Sequence, residues 1–226
     1  MAKHRFLGGV LSAAAFLTAT AGHAEGFHFG ISGGISSFDL NSKSAADAAL
    51  VNSLNEEGLD VPALDSSIDD SGGVWGLEAG YRWNSYVGAE LGYIDLGRGT
   101  YKADFTVSDG IDEAGFTTKT SFSSTGITLA VVGYLPVANR FDIHAKGGVL
   151  FSDTRVQVSV AESSTGDRAG QGFKDRDTDL FAGIGAAWNI SESYAVRAEY
   201  RRFFDVGGGD TGETDVDAFT LSLLFR

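Results

Sequence analysis

The sequence predicts an all-β protein whose fold is a transmembrane, eight-stranded, antiparallel up-and-down β-barrel. Apolar and polar residues alternate with period two along about eight segments of roughly ten residues, the length that a tilted strand needs to cross a bilayer. The connections between these segments are alternately long and short, as in barrels with short turns at one end and long loops at the other. The alternative is a secreted or periplasmic β-sandwich, in which nothing sorts the loops by length.

Residues 1–24 are predicted to be a secretory signal peptide that is cleaved, which leaves residues 25–226 as the barrel domain. A basic N-terminus precedes an uncharged, mostly apolar run over residues 6–21, and small residues at signal-peptidase spacing end at Ala24. An N-terminal membrane anchor is the alternative, but the apolar run is short for a transmembrane helix.

Eight segments show the strand pattern. They cover residues 25–40, 72–83, 86–96, 124–135, 141–151, 178–190, 194–203 and 215–226. In the segment YAVRAEYRRF (194–203), apolar Val196 and Tyr200 alternate with charged Arg197 and Glu199. A water-soluble sheet would expose the charged face to solvent, whereas a membrane barrel turns it inward and exposes the apolar face to lipid.

The charged faces are predicted to line the lumen because they are rich in glycine, which fits a narrow interior. These glycines are Gly76, Gly80, Gly88, Gly92, Gly148, Gly183 and Gly185. The apolar faces carry aromatic residues at strand ends, as in the aromatic girdles of membrane barrels, namely Trp75, Trp83, Phe141, Trp188, Tyr194 and Phe225. We therefore expect an interior of polar and small residues without a separate apolar core.

The connections predict the orientation of the barrel. The long ones cover residues 41–71, 97–123 and 152–177, with an intermediate one at 205–214; the short ones cover 84–85, 136–140 and 191–193. Long loops are extracellular and short turns periplasmic in outer-membrane barrels, so both termini are predicted to be periplasmic. The first loop is acidic and includes the sequence SAADAALVNSLNEEG, which predicts a short helix ended by Gly58.

The composition excludes several classes of partner. The formal net charge is −13, with 30 acidic and 17 basic residues, which argues against a nucleic-acid partner. There is no cysteine, so no disulfide framework is expected. Acidic, glycine-rich loops suit a hard cation such as Ca²⁺, but their spacing matches no EF-hand, and solvated acidic loops without metal or cofactor are the favoured interpretation.

Several stretches resemble a known family. GLEAGYRWNSYVGAELGYIDLG, GYLPVANRFDIHAKGGVLF and YAVRAEYRRF are similar to strand–turn–strand units of OmpA-like eight-stranded outer-membrane β-barrel proteins. The resemblance implies the outer membrane of a Gram-negative bacterium, with outer-membrane lipid and lipopolysaccharide as surroundings. The last strand, with Phe225 near its end, resembles the signal read by the outer-membrane assembly machinery. The sequence ends where the barrel ends, without the peptidoglycan-binding domain of full-length family members.

Charged residues on the lumenal faces form the candidate site. Counting from the short turns places them in one layer, about 10–17 Å from the periplasmic end at about 3.3 Å per residue. The expected lumenal charge network consists of Glu78, Arg82, Glu90, Lys146, Arg197 and Glu199. Lys146, Arg197 and Arg82 are the candidate partners of the buried carboxylates, because an unpaired buried charge is costly. The network is either a self-satisfied polar plug or an ion gate; the family resemblance implies the gate role for Glu90, Lys146, Arg197 and Glu199.

The predicted function is a structural outer-membrane barrel that displays long acidic extracellular loops for interaction with an extracellular ligand. The alternative is a small porin-like channel for ions or small solutes. An enzyme would need a base beside a nucleophile at the outer rim. His28 and His144 both fall near the periplasmic side, so no catalytic residues are predicted.

Overall fold

The computed structural model describes residues 26–40, 43–108, 112–209 and 211–226. The predicted signal peptide lies outside the described residues. The elements are β1 (Gly26–Phe38), α1 (Lys43–Glu56), β2 (Asp60–Asp69), β3 (Ser71–Arg82), β4 (Val87–Ser108), β5 (Glu113–Ala138), β6 (Phe141–Glu162), β7 (Arg168–Asn189), β8 (Tyr194–Gly208) and β9 (Gly212–Phe225).

Eight of these strands, β1 and β3 to β9, close into an antiparallel ring, which confirms the predicted barrel. Each pairs with its neighbour along the chain, and β1 completes the ring by pairing with β9, for example Phe29 with Phe225. The remaining strand, β2, lies outside the ring order and pairs with the second half of β4. Closure removes the exposed sheet edges, as a spanning β-structure requires.

The outer face of the ring is apolar and exposed, as the period-two alternation predicts. Ile31, Leu91, Leu129, Ile184 and Leu221 all keep about half or more of their side chains accessible. Residues between them on the same strands point inward and are buried or small. Such a continuous exposed apolar surface is not found on a water-soluble protein, and it forms the lipid band of this barrel.

The two ends of the barrel differ. Residues 83–86, 139–140 and 190–193 make short turns at one end, called here the turn end, where Gly26 pairs with Arg82 and the backbone of Arg226 bonds to Ser193. At the opposite, hairpin end, the segments predicted as loops 97–123 and 152–177 are mostly paired strands. Their sequences keep a period-two pattern that is polar on the outside, which hid them from an argument based on apolar alternation.

The helix predicted in the first loop is confirmed as α1, and with β2 and the outer halves of β4 and β5 it forms a folded unit that we call the platform. Leu50 and Leu54 of α1 pack against a buried apolar cluster that includes Phe105. The hydroxyl of Tyr101 donates a hydrogen bond of 2.8 Å to Asp47 of the helix. The platform therefore has a core of its own beyond the lipid band.

The interior departs from the expectation of polar and small residues only. On the hairpin side of the lumen, large apolar side chains meet across the barrel and exclude water; we call this cluster the apolar layer. Its residues are Phe38, Val74, Ile94, Leu96, Phe122, Ala130, Leu150, Phe181, Phe203, Val206, Val216 and Ala218. An eight-stranded barrel is narrow enough for side chains to fill it, so inward apolar residues bury each other there.

Candidate functional site: an ionic layer inside the barrel

Six charged side chains meet in the lumen between the apolar layer and the turn end, and we call them the ionic layer. They are Glu78, Glu90, Lys146, Arg197, Glu199 and Arg201. They project inward from β3, β4, β6 and β8, and Glu90, Lys146, Arg197 and Glu199 are each at least 93% buried. At this burial, charges persist only when they are paired.

Arg197 is the centre of the layer. Its guanidinium contacts Glu78 through Nη2, and Nη1 donates a hydrogen bond of 2.6 Å to Oε1 of Glu90. Its Nε also lies 3.8 Å from Oε2 of Glu199. One planar cation therefore joins carboxylates from three strands, a task suited to the several fixed donors of arginine.

Lys146 links Glu90 and Glu199, which are the two central carboxylates of the layer. Its Nζ lies 2.8 Å from Oε2 of Glu90 and 2.9 Å from Oε2 of Glu199. Glu199 also receives Nε of Arg201 at 2.9 Å. With three carboxylates and three cations the layer is electrically neutral, which is the condition for burying so many charges together.

Two histidines complete the layer, each beside one central carboxylate. Nε2 of His28 lies 3.3 Å from Oε1 of Glu90, and Nε2 of His144 lies 2.8 Å from Oε2 of Glu199. Both rings are buried. Both histidines sit on inward positions between outward apolar residues, so the alternation could have assigned them to the layer.

Arg82, which the sequence assigned to the same network, lies elsewhere. Its Nη1 is 3.4 Å from Oδ2 of Asp142, and its guanidinium stacks 4.1 Å from the Tyr134 ring centroid. It also donates to the backbone oxygens of Asn84 and Ser85 in the first short turn. The five other predicted residues come together, whereas Arg82 forms a separate ion pair at the turn end because it lies only one residue from its turn.

Arg201 is the member of the layer that the sequence argument left out. It follows Glu199 by one inward position on β8, so period two places both on the same face. Its Nη2 also donates to Thr220 at 3.4 Å, and its guanidinium lies 5.9 Å from the Phe203 ring centroid. Arg201 therefore connects the ionic layer to the apolar layer.

Glycines leave the space that these long side chains occupy. A Cβ added at Gly183 would lie 2.9 Å from Cγ of Arg201 and 3.5 Å from Cγ of Lys146. A Cβ at Gly80 would overlap the ring of His28. The glycine-rich lumenal faces are thus a packing requirement of the charged residues beside them.

The lumen is closed at this level. A cavity of about 20 Å³ between Arg82, Tyr134 and Arg197 has room for one water molecule, and one of about 10 Å³ beside Glu78 and Lys146 is at the lower limit for one. Within the described ranges, no group of three or more His, Cys, Asp and Glu side chains is arranged to hold a metal ion. No described helix is long and apolar enough to cross a membrane.

A closed antiparallel ring of eight strands with an apolar outer band and charges inside defines an outer-membrane β-barrel protein. A model of the OmpA-like transmembrane domain matches residues 23–226, and the chain belongs to this family. The family places the protein in the outer membrane of a Gram-negative bacterium, in contact with membrane lipid.

The chain is similar to outer membrane protein A of two enterobacteria. It is 34% identical over 154 residues to the protein of Shigella flexneri, covering 66% of this chain and 38% of that protein. It is 30% identical over 152 residues to the protein of Serratia marcescens, covering 66% of this chain and 37% of that protein. The matches thus span little more than a third of the length of these curated relatives.

Solved structures of small outer-membrane proteins also align with the chain. Neisserial surface protein A has 10% identity and a TM-score of 0.46, with 88% of this chain and 96% of that chain covered. Ail of Yersinia pestis has 13% identity and a TM-score of 0.42, with 89% and 99% covered.

Proposed function

We propose that this protein is a structural outer-membrane barrel that displays its hairpin end at the cell surface for contact with extracellular ligands. The observation that carries the proposal is the platform, which packs α1 on the inner faces of β2, β4 and β5 with its own apolar cluster. A surface that is already folded loses less conformational entropy on binding than a loop that must be ordered.

The hairpin end is extracellular in this proposal, and the turn end, with Gly26 and Arg226, is periplasmic. The asymmetry of the connections supports this orientation, since short turns and long hairpins occupy opposite ends. We assign recognition by the outer-membrane assembly machinery to β9, whose outward residues Phe219, Leu221, Leu223 and Phe225 are exposed. Lipopolysaccharide surrounds the hairpin end.

The charge of the platform favours a partner with a basic surface. Acidic residues outnumber the basic Lys43 in the segment from α1 to the start of β3; they are Asp47, Glu56, Glu57, Asp60, Asp65, Asp69 and Asp70. Complementary charge accelerates encounter and selects among partners. The proposal assigns no catalytic role, since His28 and His144 both lie against carboxylates of the ionic layer.

A narrow, gated ion path is the second candidate function. One observation favours it: Lys146 contacts Glu90 and Glu199 at nearly equal distances, so the cations of the layer have alternative partners at hand. The apolar layer opposes it, because ions would have to cross a second closure made of packed apolar side chains.

Two shortened hairpins test the proposal. The first variant lacks residues 103–108 and 113–118, which pair with each other and carry the base of the platform. The matched control lacks the paired residues 156–161 and 168–173 of the other long hairpin. Intact cells displaying each variant are probed with arrays of extracellular proteins and glycans, and barrel folding is monitored by heat-modifiable electrophoretic mobility.

We expect the first variant to fold and to lose binding that the control retains. Planar-bilayer conductance of the unshortened protein is measured in parallel, and small, intermittent currents at most are expected. Equal binding by both variants would reject the platform as the contact surface, and large steady currents would favour the channel.

A further inference from the structure

A cluster of basic side chains lies on the outward face of the barrel just beyond the lipid band, on the hairpin side. It consists of Arg155 on β6 and Lys174 and Arg176 on β7, arranged around Asp153, with Arg98 on β4 in the same row. We call Arg98, Arg155, Lys174, Arg176 and Asp153 the basic patch.

The contacts within the patch leave it with excess positive charge. Asp153 lies 2.9 Å from Nζ of Lys174, 3.3 Å from Nε of Arg176 and 3.4 Å from Nε of Arg155. One carboxylate thus gathers three cations, and Lys174 and Arg176, through their hydrogen bonds, hold the pKa of Asp153 below its ordinary value. The cation side chains remain 46–75% exposed, so they are free to meet a further anion.

The other side of the barrel has the opposite balance. Arg202 on β8 also points outward, but it contacts two carboxylates, Asp215 at 2.7 Å and Asp217 at 3.3 Å. That site is net negative, as is the chain as a whole with a formal charge of −13. The positive charge is therefore concentrated on one side of the barrel.

The height of the patch matches lipid headgroups. The last outward apolar residue of β6 is Phe151, and that of β7 is Leu180. Arg155 lies four positions beyond Phe151 and Arg176 four positions beyond Leu180, about 13 Å along tilted strands at about 3.3 Å per residue. Long basic side chains reach back toward the hydrocarbon boundary from such positions.

A shallow groove continues from the patch toward the hairpin tips. It has a volume of about 440 Å³, and Arg98, Lys119, Ser121, Gln157 and Ser159 supply polar groups to its lining. Gly170 and Gly172 line it as well. Hydroxyl and amide groups beside cations suit a sugar that carries phosphate.

We propose that the basic patch and this groove bind the phosphorylated sugar headgroup of a glycolipid in the leaflet around the hairpin end. The phosphate lies among Arg155, Lys174 and Arg176, and the sugar lies in the groove. Arginine donors match phosphate oxygens in pairs, and several cations are needed because each exposed pair contributes little by itself. The assignment rests on the proposed function in that it takes the hairpin end to face the outer leaflet.

The test compares binding of bisphosphorylated lipid A and its dephosphorylated form in phosphatidylcholine nanodiscs containing the full chain. The patch variant is R155Q/K174Q/R176Q, and R202Q is the control, since Arg202 lies outward but is already paired with two carboxylates. The patch variant is expected to bind bisphosphorylated lipid A on the order of a hundredfold more weakly, because each basic residue at an anionic lipid surface contributes about fivefold. R202Q is expected to bind like the unmodified protein.

Four results would overturn the proposal. The first two are that the patch variant binds bisphosphorylated lipid A as tightly as the unmodified protein, or that R202Q loses as much affinity as the patch variant. The other two are that the unmodified protein binds dephosphorylated lipid A or free inorganic pyrophosphate as tightly as it binds bisphosphorylated lipid A. Heat-modifiable mobility ensures that all variants compared are folded. Protease cleavage of the hairpin tips on intact cells tests the orientation separately, so a failure of the proposed function is distinguishable from a failure of the patch.

Discussion

Two layers of the same lumen close the barrel by different physics. The ionic layer joins six charged side chains from β3, β4, β6 and β8, whereas the apolar layer above it packs Phe181, Phe203 and other apolar side chains against one another. Both arise from the inward positions of the same strands. The difference shows that a narrow barrel can be filled either by paired charges or by apolar side chains, provided that each layer satisfies its charges or buries its apolar surface within itself.

The two layers should differ in their tolerance of change. A buried ion network depends on every partner, because removing one leaves an uncompensated charge. Apolar contacts are non-directional. The free energy of unfolding that is lost when an apolar side chain is truncated grows with the buried area removed and with the volume of the cavity left behind. Substitutions in each layer, measured by urea unfolding in lipid vesicles, test this comparison.

The largest effect is expected for Arg197→Leu. Arg197 contacts Glu78 and Glu90 and is 2% exposed, so its loss leaves buried carboxylates without their central cation. The free energy of unfolding should fall by about 3–5 kcal/mol. Arg140→Leu, at an exposed turn position, is the control; equal losses in the two variants would contradict a structural role for the ionic layer.

Phe203→Ala tests the apolar layer and should cost about 3 kcal/mol, since the ring is fully buried and stacks on Phe181 at 5.2 Å. Its chain neighbour Phe204 points outward and is 38% exposed, so Phe204→Ala is the matched control with a smaller expected loss. If Phe204→Ala lowers the free energy of unfolding as much as Phe203→Ala does, burial of the Phe203 ring in the lumen contributes no additional stability.

Arg201→Gln tests the contact between the layers. Because Arg201 bonds to Glu199 and lies 5.9 Å from the Phe203 ring centroid, we expect a loss of about 1–3 kcal/mol. In the double variant with Phe203→Ala, the two losses in the free energy of unfolding should not add. Losses from substitutions at residues that do not contact each other are additive. Additive losses would show that the layers are energetically independent, and Arg202→Gln on the outer face serves as the comparison outside the lumen.

The smallest effect concerns the platform, which lies outside both layers. Hydrogen bonds from Ser66 and Lys43 hold the pKa of Asp47 below its ordinary value, and Asp47 also accepts from Tyr101, whose pKa burial raises to about 12. A depressed folded-state pKa contributes stability above the unfolded carboxyl pKa of about 3.9, and that stability is lost as pH falls through the folded value.

The protection factors of the α1 amides, which are the intrinsic exchange rates divided by the observed rates at the same pH, should therefore fall as the pH drops below about 4, while the protection factors of the barrel strands change little. In the Asp47→Asn variant, the α1 amides should exchange faster than in the unmodified protein at neutral pH. Their protection should then show no further loss below a pH of about 4. The same pH profile in both proteins would show that Asp47 does not anchor the helix.

Local pattern alone predicted most of the barrel and much of its site. Alternation with period two is a property of single strands, so it identified the eight spanning segments and their lipid faces. It also predicted six residues of the charge network, of which five come together in the structure. It did not assign the partner of Arg82, because that residue's contact with Asp142 depends on how β3 and β6 face each other across the lumen. The hairpin extensions were missed because their apolar residues, such as Phe105 and Val107, are buried on the inner face and their outer face is polar, which is the reverse of the pattern of a membrane-spanning strand.

By itself the sequence determined the strand number, the inward and outward sides and the inward placement of the charges, since these follow from side chains alternating along each strand. Only the tertiary structure decided the apolar layer, the packing of α1 on the platform and the gathering of three cations around Asp153. Each of these depends on register between strands or on contact across the lumen. Such contacts join residues far apart in the chain, which no local period encodes.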